Sequence, residues 1–202
     1  MQLFTNPASP FCRKVEIVLH ETGQHDAVER KSVAGHPTDP GTLPTTVNPI
    51  GKIPTLVRDD GPAVYDSRVI SRYLDDRFTA GLYPAGRIWE VLTLEATGDG
   101  ISDAAVLMIY EIRSRPEEKR HQPFVDGQWA KIARALDALE ERWISLLNGP
   151  LNAGQISVAC ALGYLDFRHA ARDWRAGHPE LAAWFKRFEQ RPSMQATLPS
   201  AP

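Results

Sequence analysis

Three short segments in the first part of the chain carry side chains and backbone groups able to hold and activate a small ligand. The first is Ser9-Pro10-Phe11-Cys12-Arg13-Lys14. It stands between a strand-like run at Leu3-Phe4 and a helical pattern in which Phe11, Val15, Val18 and Leu19 recur on one face. A helix N-terminus exposes unpaired N–H groups and the positive end of its dipole, so it favours an anion. A hydroxyl at that place can donate to a thiolate and lower its pKa by about one to two, the reach of one charge-assisted hydrogen bond plus the dipole. Ser9 therefore reads as a thiol-activating residue or as a plain N-cap, and the segment alone favours the cap.

Cys12 offers a second chemistry. Ser-Pro-Phe-Cys is similar to the glutaredoxin motif Cys-Pro-Phe-Cys with serine in place of the attacking cysteine, which leaves Cys12 in the resolving position. Without the attacking thiolate, self-contained dithiol exchange is disfavoured, and a lone cysteine on a helix turn is more often core. The second segment is Asn48-Pro49-Ile50-Gly51-Lys52-Ile53-Pro54-Thr55-Leu56. A proline after a glycine turn and directly before a strand predicts a cis Ile53–Pro54 bond. The backbone N–H and C=O of Ile53 then face outward, available to an extended peptide; an ordinary loop-to-strand passage is the other reading. The third segment is Tyr65-Asp66-Ser67-Arg68. Ser67 either caps the helix that starts there or binds a carboxylate beside the helix N–H groups, with Asp66 holding an ammonium. The pair would then receive the zwitterionic end of an α-amino acid.

The elements that position these segments follow from periodicity. The run from Val28 to Val33 reads as a strand, and residues 34 to 51, with four prolines and three glycines, as a loop. Thr55-Leu56-Val57 and Ala63-Val64-Tyr65 flank the turn Asp59-Asp60-Gly61-Pro62 and predict a hairpin. A helix with Val69, Ile70, Tyr73 and Leu74 on one face follows from about Ser67. After the linker residues Gly81, Pro84 and Gly86 the pattern becomes helical: residues 87–114, a helix carrying Trp129 to Leu147, a buried one at 155–171, and a last one at about 180–190. Gly98 and Gly100 interrupt the first of these at about 1 kcal/mol each, which marks a kink or a close approach of another backbone. The order β-α-β then β-β-α, followed by helices, predicts an α/β domain at residues 1–78 and an all-α domain at 86–202.

Composition narrows the function classes. The chain has 202 residues, 43% hydrophobic and 24% charged, with a net charge of −2. That is a globular balance with no basic bias toward nucleic acid or acidic membranes. The basic cluster Arg113, Arg115, Lys119, Arg120 is broken by Glu117 and Glu118 and reads as a solvated face. His20, His25, His36, His121, His169 and His178 lack metal-ligand spacing, so no metal is expected. No apolar run is long enough to span a membrane. With two cysteines and no visible secretory signal, a reducing cytoplasm is the expectation.

Together, in this order and spacing, the three segments resemble those of the glutathione transferase superfamily, over nearly the whole chain. Ser-Pro-Phe-x-Arg-Lys-Val at 9–15 looks like the active-site segment of its serine-type bacterial members. Asn-Pro-x-Gly-Lys-Ile-Pro-Thr-Leu at 48–56 is the most specific match, and Asp66-Ser67 matches the acidic-Ser pair. Asp99-Gly100-Ile101 and Gly163-Tyr164-Leu165-Asp166-Phe167-Arg168 look closest to the bacterial YibF-type subgroup. The resemblance implies an N-terminal thioredoxin-like domain, a helical-bundle C-terminal domain, glutathione as co-substrate and a homodimer. It implies that Ser9 donates to the glutathione sulfur and that Ile53 pairs its backbone with the cysteinyl unit, Pro54 setting the geometry. Asp66 and Ser67 would grip the γ-glutamyl end, while Asn48 and Lys52 flank the cleft, Lys52 meeting the glycyl carboxylate. A pocket for a small electrophile is implied between the domains, with Ala8, Pro10 and Phe11 on one wall and Asp103, Leu107 and Tyr110 on the other. The implied activity is attack of the activated thiolate on that electrophile, as in detoxification. The rivals are a non-catalytic glutathione-binding or regulatory protein of the same fold and a glutathione-dependent thiol-disulfide oxidoreductase using Cys12. Two departures stand out. The family's Ser/Thr-x-x-Asp capping box is absent from Gln155-Ile156-Ser157-Val158, and position 66 carries Asp where many members have Glu, one methylene shorter.

Overall fold

Leu3 and Leu56 lie opposite one another in a three-stranded sheet and are fully buried. In the computed structural model, which describes residues 1–200, the sheet is built from β1 (Gln2–Thr5), β2 (Glu29–Ser32) and β3 (Thr55–Val57). The strand order is β2-β1-β3, with β2 parallel and β3 antiparallel to β1. Helix α1 (Pro10–Glu21) links β1 to β2, and α2 (Ser67–Phe78) follows β3. Val15, Val18 and Leu19 of α1 and Ile70 and Leu74 of α2 are fully buried, each side chain contributing about 1.5–3 kcal/mol. Pro10 suits the first turn of α1, where a missing N–H costs nothing. Gly23, at φ +68, lets the chain leave that helix in the left-handed region.

The hairpin expected over Ala63–Tyr65 contracts to one bridge, Leu56 with Val64, closed by N–H···O bonds of 3.0 and 2.9 Å. Pro62 has no N–H to extend the ladder, and four residues later the chain reaches Asp66, the cap of α2. The N-terminal half is thus a thioredoxin-like mixed sheet with helices.

The chain divides into two compact units, Met1–Ala85 joined by the segment from Pro192 onward, and Gly86–Arg191. The sequence places all of 86–202 in the helical domain. The last segment instead belongs with the first unit, because the buried Arg13 of α1 donates to the Met194 carbonyl (3.1 Å) and to Thr197 Oγ1 (3.4 Å). Ser193, in helix α8 (Pro192–Ala196), also donates to Glu21.

The second unit holds α3 (Ile88–Ser114), α4 (Gln122–Ala138), a π-helical segment at Leu139–Trp143, α5 (Ile144–Leu147), α6 (Ala153–His169) and α7 (Pro179–Phe188). Helices α3 and α6 meet backbone to backbone. A Cβ at Gly98 would stand 2.6 Å from the Ser157 carbonyl carbon, and one at Gly154 would stand 2.9 Å from the Val91 carbonyl oxygen. Gly98 is therefore the close approach. Gly100 has no neighbour within 4 Å of a built Cβ. Helix α6 is buried from Ala153 through Leu165. A capping box does open it, three residues earlier than the register searched in the sequence: Asn152 Oδ1 accepts from Gln155 N (3.1 Å) and Gln155 Oε1 accepts from Asn152 N (2.8 Å). The Gln155 amide further donates to the carbonyls of Leu147 (2.8 Å) and Gly149 (3.1 Å).

Candidate functional site

Strand register brings the three segments to one end of the sheet. Phe4 pairs with Thr55, so the loop leaving β1 and the loop arriving at β3 share that end. The antiparallel bridge between Leu56 and Val64 places Asp66 and Ser67 there as well. Two helices begin at this end, α1 after Ser9 and α2 after Asp66, so two positive dipole ends and their orphan N–H groups are presented together.

Ser9 is the N-cap of α1, in extended conformation, and its Oγ accepts from Cys12 N at 3.3 Å. The hydroxyl also reaches the Cys12 sulfur, and rotation about its Cβ–Oγ bond can turn its proton to a further acceptor. The loop before it is held by Asn6, a buried residue the sequence did not single out. Its amide donates to the Val33 carbonyl (2.9 Å), its Oδ1 accepts from Ala8 N (2.9 Å), and its carbonyl accepts from Ser9 N (3.0 Å). The signal was an Asx residue two positions before a turn amide. Cys12 is 1% exposed. Burial pushes its thiol up to about 11, against the opposing hydrogen bond from Ser9.

Asn48 is 1% exposed and its amide is spent inside the turn. It donates to the Lys52 carbonyl (3.0 Å) and to Thr55 Oγ1 (2.9 Å), and its Oδ1 accepts from Ile50 N (3.1 Å). The structure thus gives Asn48 a positioning place behind Lys52 and Ile53. Thr55 shares it, donating to the Lys52 carbonyl at 2.9 Å. Gly51, at φ +63, completes the turn. The Ile53–Pro54 bond is cis, and Tyr65–Asp66 is a second cis bond that the sequence did not signal. Neither backbone group of Ile53 takes part in a hydrogen bond among the described residues. Lys52 is exposed.

The cap of α2 is Asp66, not Ser67. Asp66 Oδ1 accepts from Arg68 N at 3.0 Å, and its Oδ2 stands 3.3 Å from the Arg68 guanidinium. Ser67 is the first helical residue and 2% exposed. Asp66 is exposed beside it, so a carboxylate and a hydroxyl adjoin the N–H groups of the first turn.

Residues 8–77 match the family model "Glutathione S-transferase, N-terminal domain", and residues 122–187 match "Glutathione S-transferase, C-terminal domain". The chain belongs to the glutathione S-transferase family. It is 31% identical over 204 residues to the uncharacterized GST-like protein YibF of Escherichia coli K12, covering 98% of each chain. A glutathione transferase family member of Pseudomonas fluorescens Pf-5, solved with bound glutathione, is 48% identical with a TM-score of 0.96 over 99% of each chain. The same source supplied a structure with bound S-(propanoic acid)-glutathione, also 48% identical, with a TM-score of 0.91 over the full length of both chains.

Within this glutathione S-transferase fold the sequence-derived residues fall into two groups. Ser9, Lys52, Ile53, Pro54, Asp66 and Ser67 gather at one end of the sheet in the first unit. Ala8, Pro10 and Phe11 adjoin Ser9 there, Pro10 being buried. Asp103, Leu107 and Tyr110 lie on α3 of the second unit, spaced so as to share one helix face; Leu107 is 42% exposed. Among the described residues no group of three or more His, Cys, Asp or Glu is arranged to hold a metal. No helix is long and apolar enough to cross a membrane.

Proposed function

We propose that the chain binds glutathione at this end of the sheet and activates its thiol for attack on a small electrophile. The observation that carries the reading is Ser9: an N-cap hydroxyl, oriented by the Cys12 amide, where two helix N-termini converge. The bound glutathione in the 48%-identical Pseudomonas structure supports the ligand, and the S-propanoic acid adduct supports a site whose sulfur can carry a substituent. In this reading Ile53 offers its unpaired N–H and C=O to the cysteinyl unit. Asp66 and Ser67 receive the γ-glutamyl ammonium and carboxylate, and Lys52 meets the glycyl carboxylate. The thiol proton leaves to solvent, and the Ser9 O–H donates to the resulting thiolate. The sulfur lone pair then forms the new S–C bond as the electrophile's leaving group departs or its double-bond electrons shift. The protein supplies thiolate stabilisation and proximity, without a covalent intermediate of its own. A cytoplasmic homodimer is the accompanying proposal.

The test is the ultraviolet absorbance of bound glutathione thiolate against pH, in wild type and Ser9→Ala. The wild type should lower the thiol pKa by about one to two. Ser9→Ala should return it toward the free value and reduce conjugation about 10- to 100-fold, while glutathione affinity stays within about threefold. Equal conjugation rates in the two proteins would remove Ser9 from the mechanism. Binding without a shifted pKa would favour the non-catalytic binder.

A further inference from the structure

Asn6 stands where the sheet ends and the Ser9 loop begins, and its side chain does there what the backbone cannot. The parallel ladder of β1 and β2 bonds Glu29 N to the Met1 carbonyl (3.0 Å) and Val33 N to the Thr5 carbonyl (3.1 Å). Carried one step further, that pattern would offer the Val33 carbonyl the N–H of residue 7. Residue 7 is proline and has none. The Asn6 amide takes its place, donating to the Val33 carbonyl at 2.9 Å. Val33 and Asn6 are both buried, where a carbonyl without a donor is costly.

The other polar groups of Asn6 fix the loop that follows. Its Oδ1 accepts from Ala8 N (2.9 Å), an Asx turn that bends the chain after Pro7. Its main-chain carbonyl accepts from Ser9 N (3.0 Å). Ser9 is thus held on one side by Asn6 and on the other by Cys12 N, which donates to its Oγ at 3.3 Å. A helix cap needs only the second of these bonds. The first set reaches 27 positions along the chain to Val33 and ties the cap to the sheet. The second bond can aim the hydroxyl only while the first set holds the backbone that carries it.

We propose that Asn6 is a positioning residue for thiol activation, holding the Ser9 hydroxyl where the sulfur of a ligand bound along Ile53 and Asp66 arrives. The proposal rests on the glutathione reading and names the residue that gives Ser9 its place. Asn6 acts through Ser9 and not on the ligand.

The test follows the ultraviolet absorbance of bound glutathione thiolate against pH in the full chain, as wild type, Asn6→Ala, Ser9→Ala and the double variant. Asn6→Ala should raise the pKa of the bound thiol by about 0.5–1 and slow conjugation of chlorodinitrobenzene at saturating glutathione about tenfold. Glutathione affinity should stay within about threefold. Adding Asn6→Ala to Ser9→Ala should change neither quantity further, because residues that act through one hydroxyl do not add. A further variant separates positioning from folding. Pro7 is exposed, and Pro7→Ala returns an N–H that can serve the Val33 carbonyl. In the Asn6→Ala background it should recover the urea midpoint while the thiol pKa stays raised, since Ala8 N still lacks its acceptor. A wild-type thiol pKa in Asn6→Ala, losses that add in the double variant, or a pKa that recovers together with the midpoint each overturns the proposal and leaves the glutathione reading standing. A wild type that binds no glutathione, or binds it with an unshifted thiol, overturns that reading and this proposal with it.

Discussion

The thiol of Cys12 separates the proposed conjugation chemistry from thiol-disulfide exchange, and its reactivity follows from where it lies. With the thiol pushed up to about 11, roughly one molecule in three thousand is a thiolate at pH 7.5, against about one in ten for a free cysteine of pKa near 8.5. That is about a 300-fold loss of nucleophile. A more basic thiolate is intrinsically more reactive, which at a Brønsted slope of about 0.4–0.5 returns roughly tenfold. Titration alone therefore slows the reaction about 30-fold. Access slows it further, because Cys12 is 1% exposed and a disulfide reagent must wait for a local opening. Cys160, also buried, is removed by Cys160→Ala so that a single thiol reports. In that variant, labelling by a disulfide reagent at pH 7.5 should be at least about 100-fold slower in the folded protein than in urea. Oxidised glutathione should add no mass to the folded chain. Labelling within tenfold of the unfolded rate, or a mixed disulfide on Cys12, would refute this reasoning and restore the oxidoreductase reading.

Two further outcomes follow from the packing and the titratable groups. Gly98→Ala should destabilise the chain by about 1–3 kcal/mol, because the new Cβ meets the α6 backbone at 2.6 Å and outweighs a helix-propensity gain of about 1 kcal/mol. Gly100→Ala, in open space on the same helix, should stabilise it by about 0.5–1 kcal/mol. Urea midpoints of the two variants should fall on opposite sides of wild type, and midpoints on the same side would contradict the assigned contact. Burial lowers the pKa of His20, reinforced by the neighbouring His25, and burial likewise lowers that of His169. Each imidazole then binds its proton more readily in the unfolded chain, so stability is held above about pH 6.5 and declines as pH falls from there toward 5. Urea midpoints at pH 7 and 5 should show that decline, reduced in His20→Gln; a midpoint that rises toward pH 5 would reverse the sign.

Much of this architecture was legible because hydrophobic period and turn chemistry are local properties. The face of α1 through Val15, Val18 and Leu19, the loop rich in proline and glycine, and the burial of α6 all follow from spacing. What escaped the sequence depends on contacts between distant parts of the chain. The end of the chain joins the first unit through Arg13, whose buried guanidinium finds its carbonyl acceptor 181 positions away. Gly98 and Gly100 look alike in sequence and differ only in whether the Ser157 backbone lies against them. The capping box of α6 was sought in the wrong register, because the Asn152–Gln155 pair performs with amides what the family motif performs with a hydroxyl and a carboxylate.

Position 66 joins these two kinds of information. Read against the resemblance, Asp in place of Glu is a shortened reach toward a ligand ammonium. In the structure the same carboxylate bonds the Arg68 amide two residues on and caps α2, a task that Asp performs well at an N-cap. One oxygen of Asp66 is thereby committed to the helix, and the other faces solvent beside Arg68. The shorter side chain thus fixes the start of α2, and with it the orientation of the N–H groups next to Ser67. Reach is exchanged for a rigid helix end. If this site receives the γ-glutamyl group, the ligand's carboxylate meets a preorganised set of donors, and its ammonium meets the single carboxylate oxygen that the cap leaves over.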